Sequence, residues 1–192
     1  MQKTYIDTNI LIAYVSGPQK DPFQYPKAKR IFDEIKQGKY VGVFSTLTLI
    51  EVKGVLRSLL GRERSLLQTI DMHKQSDFIK KESTDTYNIL LAELLKLPHV
   101  KFEKGKQTNF QSILDDADQI MDDIKGFVKF YNNCGVCKSN YKNSAHKQIL
   151  VADILHVLLA KDIGCDSLIT FDKGFNTLTG NIQIGLMQII VR

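Results

Sequence analysis

The chain has 192 residues, which favours a single domain able to bury a sizeable core. At 43% hydrophobic and 24% charged residues it has the balance of an ordinary globular protein, and no apolar run is long enough to span a membrane. Lys and Arg exceed Asp and Glu by 26 to 21, a formal charge of +5, which permits a nucleic-acid partner without demanding one. The first residues, MQKTYIDTN, hold one early Lys but no apolar stretch ahead of a small-residue cleavage site, so no secretory signal is expected and a cytoplasmic location is.

Residues 3–6, KTYI, read as a strand ending at Asp7. Asp7-Thr8-Asn9 supplies capping residues ahead of the apolar ILIAYV, which predicts a helix. Pro18, Pro22 and Pro26 predict a loop over 16–26, and from Pro26 an amphipathic helix runs to about Gly38. YVGVFS at 40–45 is a second strand. Thr46 is expected to cap a helix ending at Gly61, with Leu47, Leu49, Ile50, Val52 and Val55 in the core.

Two helical stretches fill 62–97, with a break expected near Ser83-Thr84-Asp85, and a weak strand, HVKFE, follows Pro98. Residues 110–131 are expected to form an amphipathic helix with an acidic face, and 132–144 a loop. Asp115, Asp116, Asp118, Asp122 and Asp123 lie opposite an apolar stripe, so ordinary solvation explains them better than a second metal site. Residues 147–163 predict a helix of unusual apolarity closed by Gly164. SLITF at 167–171 is a strand leading to Asp172, and MQIIV at 187–191 is a last strand.

Apolar strands alternating with helices predict a parallel sheet covered on both faces. In such sheets ligands bind beyond the carboxyl ends of the strands, at the point where strand order reverses. Asp7 and Asp172 stand at two such ends.

Two further acids interrupt apolar helices. Asp153 lies within ILVADILHVLLA and is expected to be buried, where an unpartnered carboxylate costs several kcal/mol. A metal, a distant basic residue or His156, three positions on, could each compensate it. Glu51 interrupts LTLIEVKGVL in the same way, although Lys53 shows that this helix has a wet face. Asp7 could be a simple helix cap and Phe-Asp-Lys-Gly at 171–174 a simple turn. Taken together, the four acids form a set of hard oxygen ligands suited to Mg²⁺ or Mn²⁺ and to phosphodiester hydrolysis.

The three cysteines, an odd number, argue against a disulfide framework. Cys134 and Cys137 could start a zinc site with His146, form a redox pair or local disulfide, or be two loop thiols. Basic runs at Arg57–Arg64 and Lys138–Lys147 could track phosphates or be solvated faces.

Three segments carry a resemblance to the PIN-domain family, which includes the VapC-type toxin ribonucleases: YIDTNILIAY, STLTLIEV and VADILHVLLAKDIGCDSLITFDKGF. The likeness covers residues 3–60 and 147–180, about half the chain. It implies one PIN domain over 1–192, a three-layer α/β/α Rossmann-like sandwich with a central parallel sheet. It implies a metal-dependent endoribonuclease with Asp7, Glu51, Asp153 and Asp172 as catalytic, metal-binding acids around one or two Mg²⁺ or Mn²⁺ ions. Thr8, Asn9, Thr46 and Thr170 are then supporting residues. The longer middle of the chain, around 98–146, is expected to be a helical and Cys-loop insertion, serving as a dimer arm, an antitoxin-binding surface or a substrate-selecting cap. RNA is the expected substrate, an antitoxin and a second copy of the chain the expected protein partners. The alternatives are an inactive PIN-like module binding RNA or protein, and a related structure-specific nuclease. A haloacid-dehalogenase-type phosphatase needs an Asp where this chain has Asn9.

Overall fold

A computed structural model describes residues 1–65, 72–104, 151–178 and 187–192. Five strands, β1 (Lys3–Ile6), β2 (Val41–Ser45), β3 (Val100–Glu103), β4 (Ser167–Thr170) and β5 (Gln188–Val191), form one sheet in the order β3-β2-β1-β4-β5. Every pairing is parallel. The helices are α1 (Thr8–Lys20), α2 (Tyr25–Lys36), α3 (Thr46–Ser65), α4 (Met72–Leu95) and α5 (Val151–Ile163), and a 3₁₀ turn spans Lys173–Leu178. This is the expected three-layer α/β/α architecture.

The sheet's pleat sorts the core into two halves, because successive side chains point to opposite faces. Tyr5, Val43 and Leu168 stand in register across three strands and pack against Ile154, Val157 and Leu158 of α5, with Phe175 and Leu178 of the 3₁₀ turn. Their strand neighbours Ile6, Phe44 and Ile169 face the other way, onto Ile10 and Leu11 of α1 and Ile31, Phe32 and Ile35 of α2. Val52 and Leu94 extend this second core into α3 and α4.

Local chemistry sets the helix bounds. The α1 helix continues beyond the expected end at Val15, to Lys20, across a break at Gly17. Gly17 has φ 75° and ψ 174°, a conformation open in practice only to glycine, and Pro18 restarts the helix where its missing N–H costs nothing. The predicted loop over 16–26 is therefore partly helical. In α2, Pro26 sits in the first turn as expected.

The predicted break near Ser83-Thr84-Asp85 is absent: α4 runs through it. Ser83 and Thr84 turn their hydroxyls back to the Lys80 carbonyl, at 3.0 and 2.8 Å, and so remain helical. The α3 helix runs past Gly61 to Ser65. Strand β3, at the start of the expected 98–146 insertion, belongs to the sheet and pairs with β2. Residues 105–150 lie outside the described residues, and with them the predicted acidic helix, Cys134, Cys137 and His146. Among the described residues no helix is long and apolar enough to cross a membrane.

Candidate active site

Strand order reverses between β1 and β4, since the chain runs from β1 outward through β2 to β3 and then places β4 and β5 on the other side. A cleft forms at such a point beyond the carboxyl ends of the strands. Asp7 follows the last residue of β1, and Asp172 lies two residues after β4. The topology thus brings these two acids to the same rim, as the sequence predicts.

Asp7 is only 5% exposed. It occupies the cap position of α1, but its Oδ1 accepts from the first helical amide, Thr8 N, at 2.7 Å, rather than from the second or third, as caps usually do. Its Oδ2 accepts from the Thr170 hydroxyl at the end of β4. Burial raises the Asp7 pKa, against the opposing effect of the His156 charge and the bonds from Thr170 and Thr8, and the charge of Asp153 raises it further. Among the described residues, Asp7 has these hydrogen-bond donors but no salt bridge from a lysine or arginine.

Thr170 Oγ1 is a junction. Besides donating to Asp7 it accepts from Asn9 Nδ2 at 3.1 Å and from the Asp172 amide at 2.9 Å. Asn9 Oδ1 in turn accepts from the Phe171 amide at 3.2 Å, lacing α1 to the end of β4. Thr8, Asn9 and Thr170 therefore all touch the rim acids or their immediate supports. Asp172 is half-buried, and its Oδ1 accepts from Gly174 N at 2.8 Å. It closes the turn that its sequence allowed, one hydrogen-bonded step from Asp7 through Thr170.

Glu51 reaches the rim from α3. Its Oε2 accepts from the Thr8 hydroxyl and lies 2.7 Å from His156 Nε2. Burial alone would raise the Glu51 pKa, but the bond and charge of His156 and the bond from Thr8 outweigh it, and the net shift is downward. His156 shows the reverse balance. Burial lowers its pKa, the bond to Glu51 and the charges of Asp7, Glu51 and Asp153 raise it, and the net shift is upward. The imidazole is thus the point at which three of the four acids are felt together. Asp153 is half-buried rather than buried, because it stands in the first turn of α5 near the sheet's rim.

Thr46 is corrected. It is exposed and is the first residue of α3; the cap is Ser45, whose Oγ accepts from Thr48 N at 3.2 Å. The helix is rotated accordingly: Ile50, expected in the core, is 63% exposed, whereas Thr48 is fully buried.

Sequence reasoning missed Tyr5, Ser45 and Thr48. Tyr5 Oη lies 2.5 Å from Ser45 Oγ, 3.2 Å from Thr48 Oγ1 and 2.7 Å from His156 Nδ1. A signal was present in the spacing, since Thr48 and Glu51, like Asp153 and His156, stand three apart on a helix and so share a face.

The donors suit a hard divalent cation in kind, being carboxylate oxygens with threonine hydroxyls beside them. Among the described residues, no three His, Cys, Asp or Glu side chains are grouped closely enough to hold a metal ion as they stand. Glu51 is turned to His156 and Asp172 to its own turn. No protein-family model matches the chain, and no curated protein matches it.

Proposed function

We propose that the chain is a metal-dependent endoribonuclease of the PIN-domain type. The observation that carries this reading is the convergence of Asp7 and Glu51 at the strand-order reversal of a parallel sheet, where Thr8 bonds both carboxylates, Thr170 bonds Asp7 and His156 lies against Glu51. Such a point is where open α/β sheets place ligands, and clustered carboxylates repel one another unless a cation lies among them. The Asp7 pKa is raised chiefly by burial, and the charge of Asp153 adds to it.

Asp7, Glu51 and Asp153 would hold one or two Mg²⁺ or Mn²⁺ ions, with Asp172 at the margin. When bound, a divalent ion supplies an activated water and offsets the charge that develops on a phosphodiester. The chain's own residues prepare the site. Thr8 N and Thr170 fix both oxygens of Asp7, and Thr8 Oγ1 and His156 fix Glu51. The basic surplus suits RNA as substrate, and its grip on phosphates would weaken as salt rises. A cytoplasmic toxin paired with an antitoxin, acting as a homodimer, is the setting that the resemblance implies.

A second reading, a PIN-like module that binds RNA or protein without cutting it, is supported by the pairing of Glu51 with His156 and of Asp172 with its turn. Cleavage of a labelled RNA in Mn²⁺, against an EDTA control and the Asp7→Asn and Asp153→Asn variants, separates the two. The nuclease cuts only with metal, and neither variant cuts although both stay folded. Metal-independent binding without cleavage selects the module.

A further inference from the structure

A line of polar side chains runs from the middle of the core to the rim. Tyr5, Ser45, Thr48 and His156 are each 2% exposed or less, and they come from β1, the end of β2, α3 and α5. Tyr5 Oη is held by Ser45 Oγ and Thr48 Oγ1, and lies 2.7 Å from His156 Nδ1. The rings of Tyr5 and His156 meet edge-on, with centroids 5.7 Å apart. At the far end, His156 Nε2 lies 2.7 Å from Glu51 Oε2.

Each link removes freedom from the next. Burial of both nitrogens of His156 against fixed partners leaves the ring one orientation. A glutamate side chain otherwise has several rotamers, worth about 1.5–2 kcal/mol of conformational entropy when fixed. Both hydrogen bonds to Glu51, from Thr8 and from His156, fall on the same oxygen, Oε2, and Oε1 takes neither. The carboxylate is thereby pinned by one oxygen with the direction of the other set. Apolar side chains of like volume could fill the same space, so packing alone does not require this line of hydroxyls ending on a carboxylate.

We propose that His156, braced by Tyr5, is a positioning residue that sets the orientation of the Glu51 carboxylate for metal binding at the rim. The proposal rests on the metal-dependent nuclease reading and goes beyond it, because it assigns a role to residues that touch neither metal nor RNA. Groups that orient a metal-binding side chain typically contribute about 10–100-fold in metal affinity or activity.

Two substitutions divide the imidazole between them. In His156→Gln the side-chain amide reaches the place of Nε2 and can still donate to Glu51. In His156→Asn the amide sits at the place of Nδ1, near Tyr5, and falls short of Glu51. The experiment titrates wild type and both variants with Mn²⁺ by calorimetry, measures kcat and KM for a labelled RNA, and follows folding by circular dichroism. The expected result is a loss of Mn²⁺ affinity of about 10–100-fold in His156→Asn, with kcat reduced and KM little changed, and rescue in His156→Gln. Unchanged affinity in His156→Asn, or a loss equal in the two variants, overturns the proposal. A wild type that cuts RNA with Mn²⁺ while His156→Asn does the same removes the positioning role alone. A wild type that neither binds Mn²⁺ nor cuts RNA removes the nuclease reading and this proposal with it.

Discussion

The hydroxyl of Thr170, the last residue of β4, donates to the buried carboxylate of Asp7, the residue after β1, and ties together the two strands between which the sheet's order reverses. One side chain thus fixes an acid that the sequence places at a strand's carboxyl end, and it also receives Asn9 and the Asp172 amide.

Thr170→Val keeps the shape and removes the hydroxyl. Asp7 Oδ2 then loses its donor, while Asn9 and the Asp172 amide lose their acceptor. A buried polar group left unsatisfied costs about 1–3 kcal/mol. Urea unfolding should show a loss of that size for Thr170→Val and a much smaller one for Thr170→Ser, which retains the hydroxyl.

The His156–Glu51 pair predicts a pH dependence, best measured with EDTA present. His156 is raised above its ordinary value of 6.5, so its contribution is complete below that value and is lost as pH rises through the folded-state pKa. Glu51 is lowered below its ordinary 4.5, so its contribution is present above that value and is lost as pH falls through the folded-state pKa. Tyr5, Asp7 and Asp153 also bear on the imidazole; Asp7, raised by burial, has the opposite slope from Glu51, and loss of the His156 charge raises it further in the variant. The difference in Tm between wild type and His156→Asn should therefore be widest between about pH 4.5 and 6.5 and should close as pH rises above that range. A difference that widens with rising pH is the contrary result.

At Gly42 the side chain of Ile35, on α2, fills the space that a Cβ would take. A Cβ there would lie 2.6 Å from Ile35 Cδ1, and Ile35 is fully buried. Overpacking of this kind costs about 1–3 kcal/mol. Gly42→Ala should be destabilised by that amount in denaturant unfolding, and Gly42→Ala combined with Ile35→Val should recover part of it.

Cys165 is a buried core thiol, and burial pushes its pKa up to about 12. Alkylation proceeds through the thiolate, so native Cys165 should react more slowly than in the unfolded chain, on the order of 100-fold or more. Iodoacetamide labelling followed by peptide mass mapping measures this directly. Rapid labelling in the native state would place the thiol at the surface.

Much of the architecture was legible because the signals were local and agreed. Short apolar strands, capping residues after them and apolar helices between them specify a parallel sheet, and Asp7 and Asp172 follow from strand ends alone. The misreadings share one physical cause, which is that tertiary contacts decide between local options. Pro18 reads as the end of a helix and here restarts one, because Gly17 can adopt a conformation closed to other residues. Ser83 and Thr84 read as a break and instead satisfy their hydroxyls on the preceding turn. Ser45 and Thr46 are both capping residues, and the choice of Ser45 rotates α3 enough to expose Ile50 and bury Thr48. In the site, the acids could be named from their apolar surroundings. Their partner Tyr5 could not, because a tyrosine in KTYI reads as an ordinary strand residue until His156, 151 positions away in sequence, meets its hydroxyl.

The most direct measurement is a crystal soaked in Mn²⁺, with data collected to map the manganese by its anomalous scattering. The account predicts a peak bounded by Asp7, Glu51 and Asp153, with Glu51 still held by Thr8 and His156. A map with no peak at that rim, and with these acids each neutralised by a lysine or arginine, would contradict it.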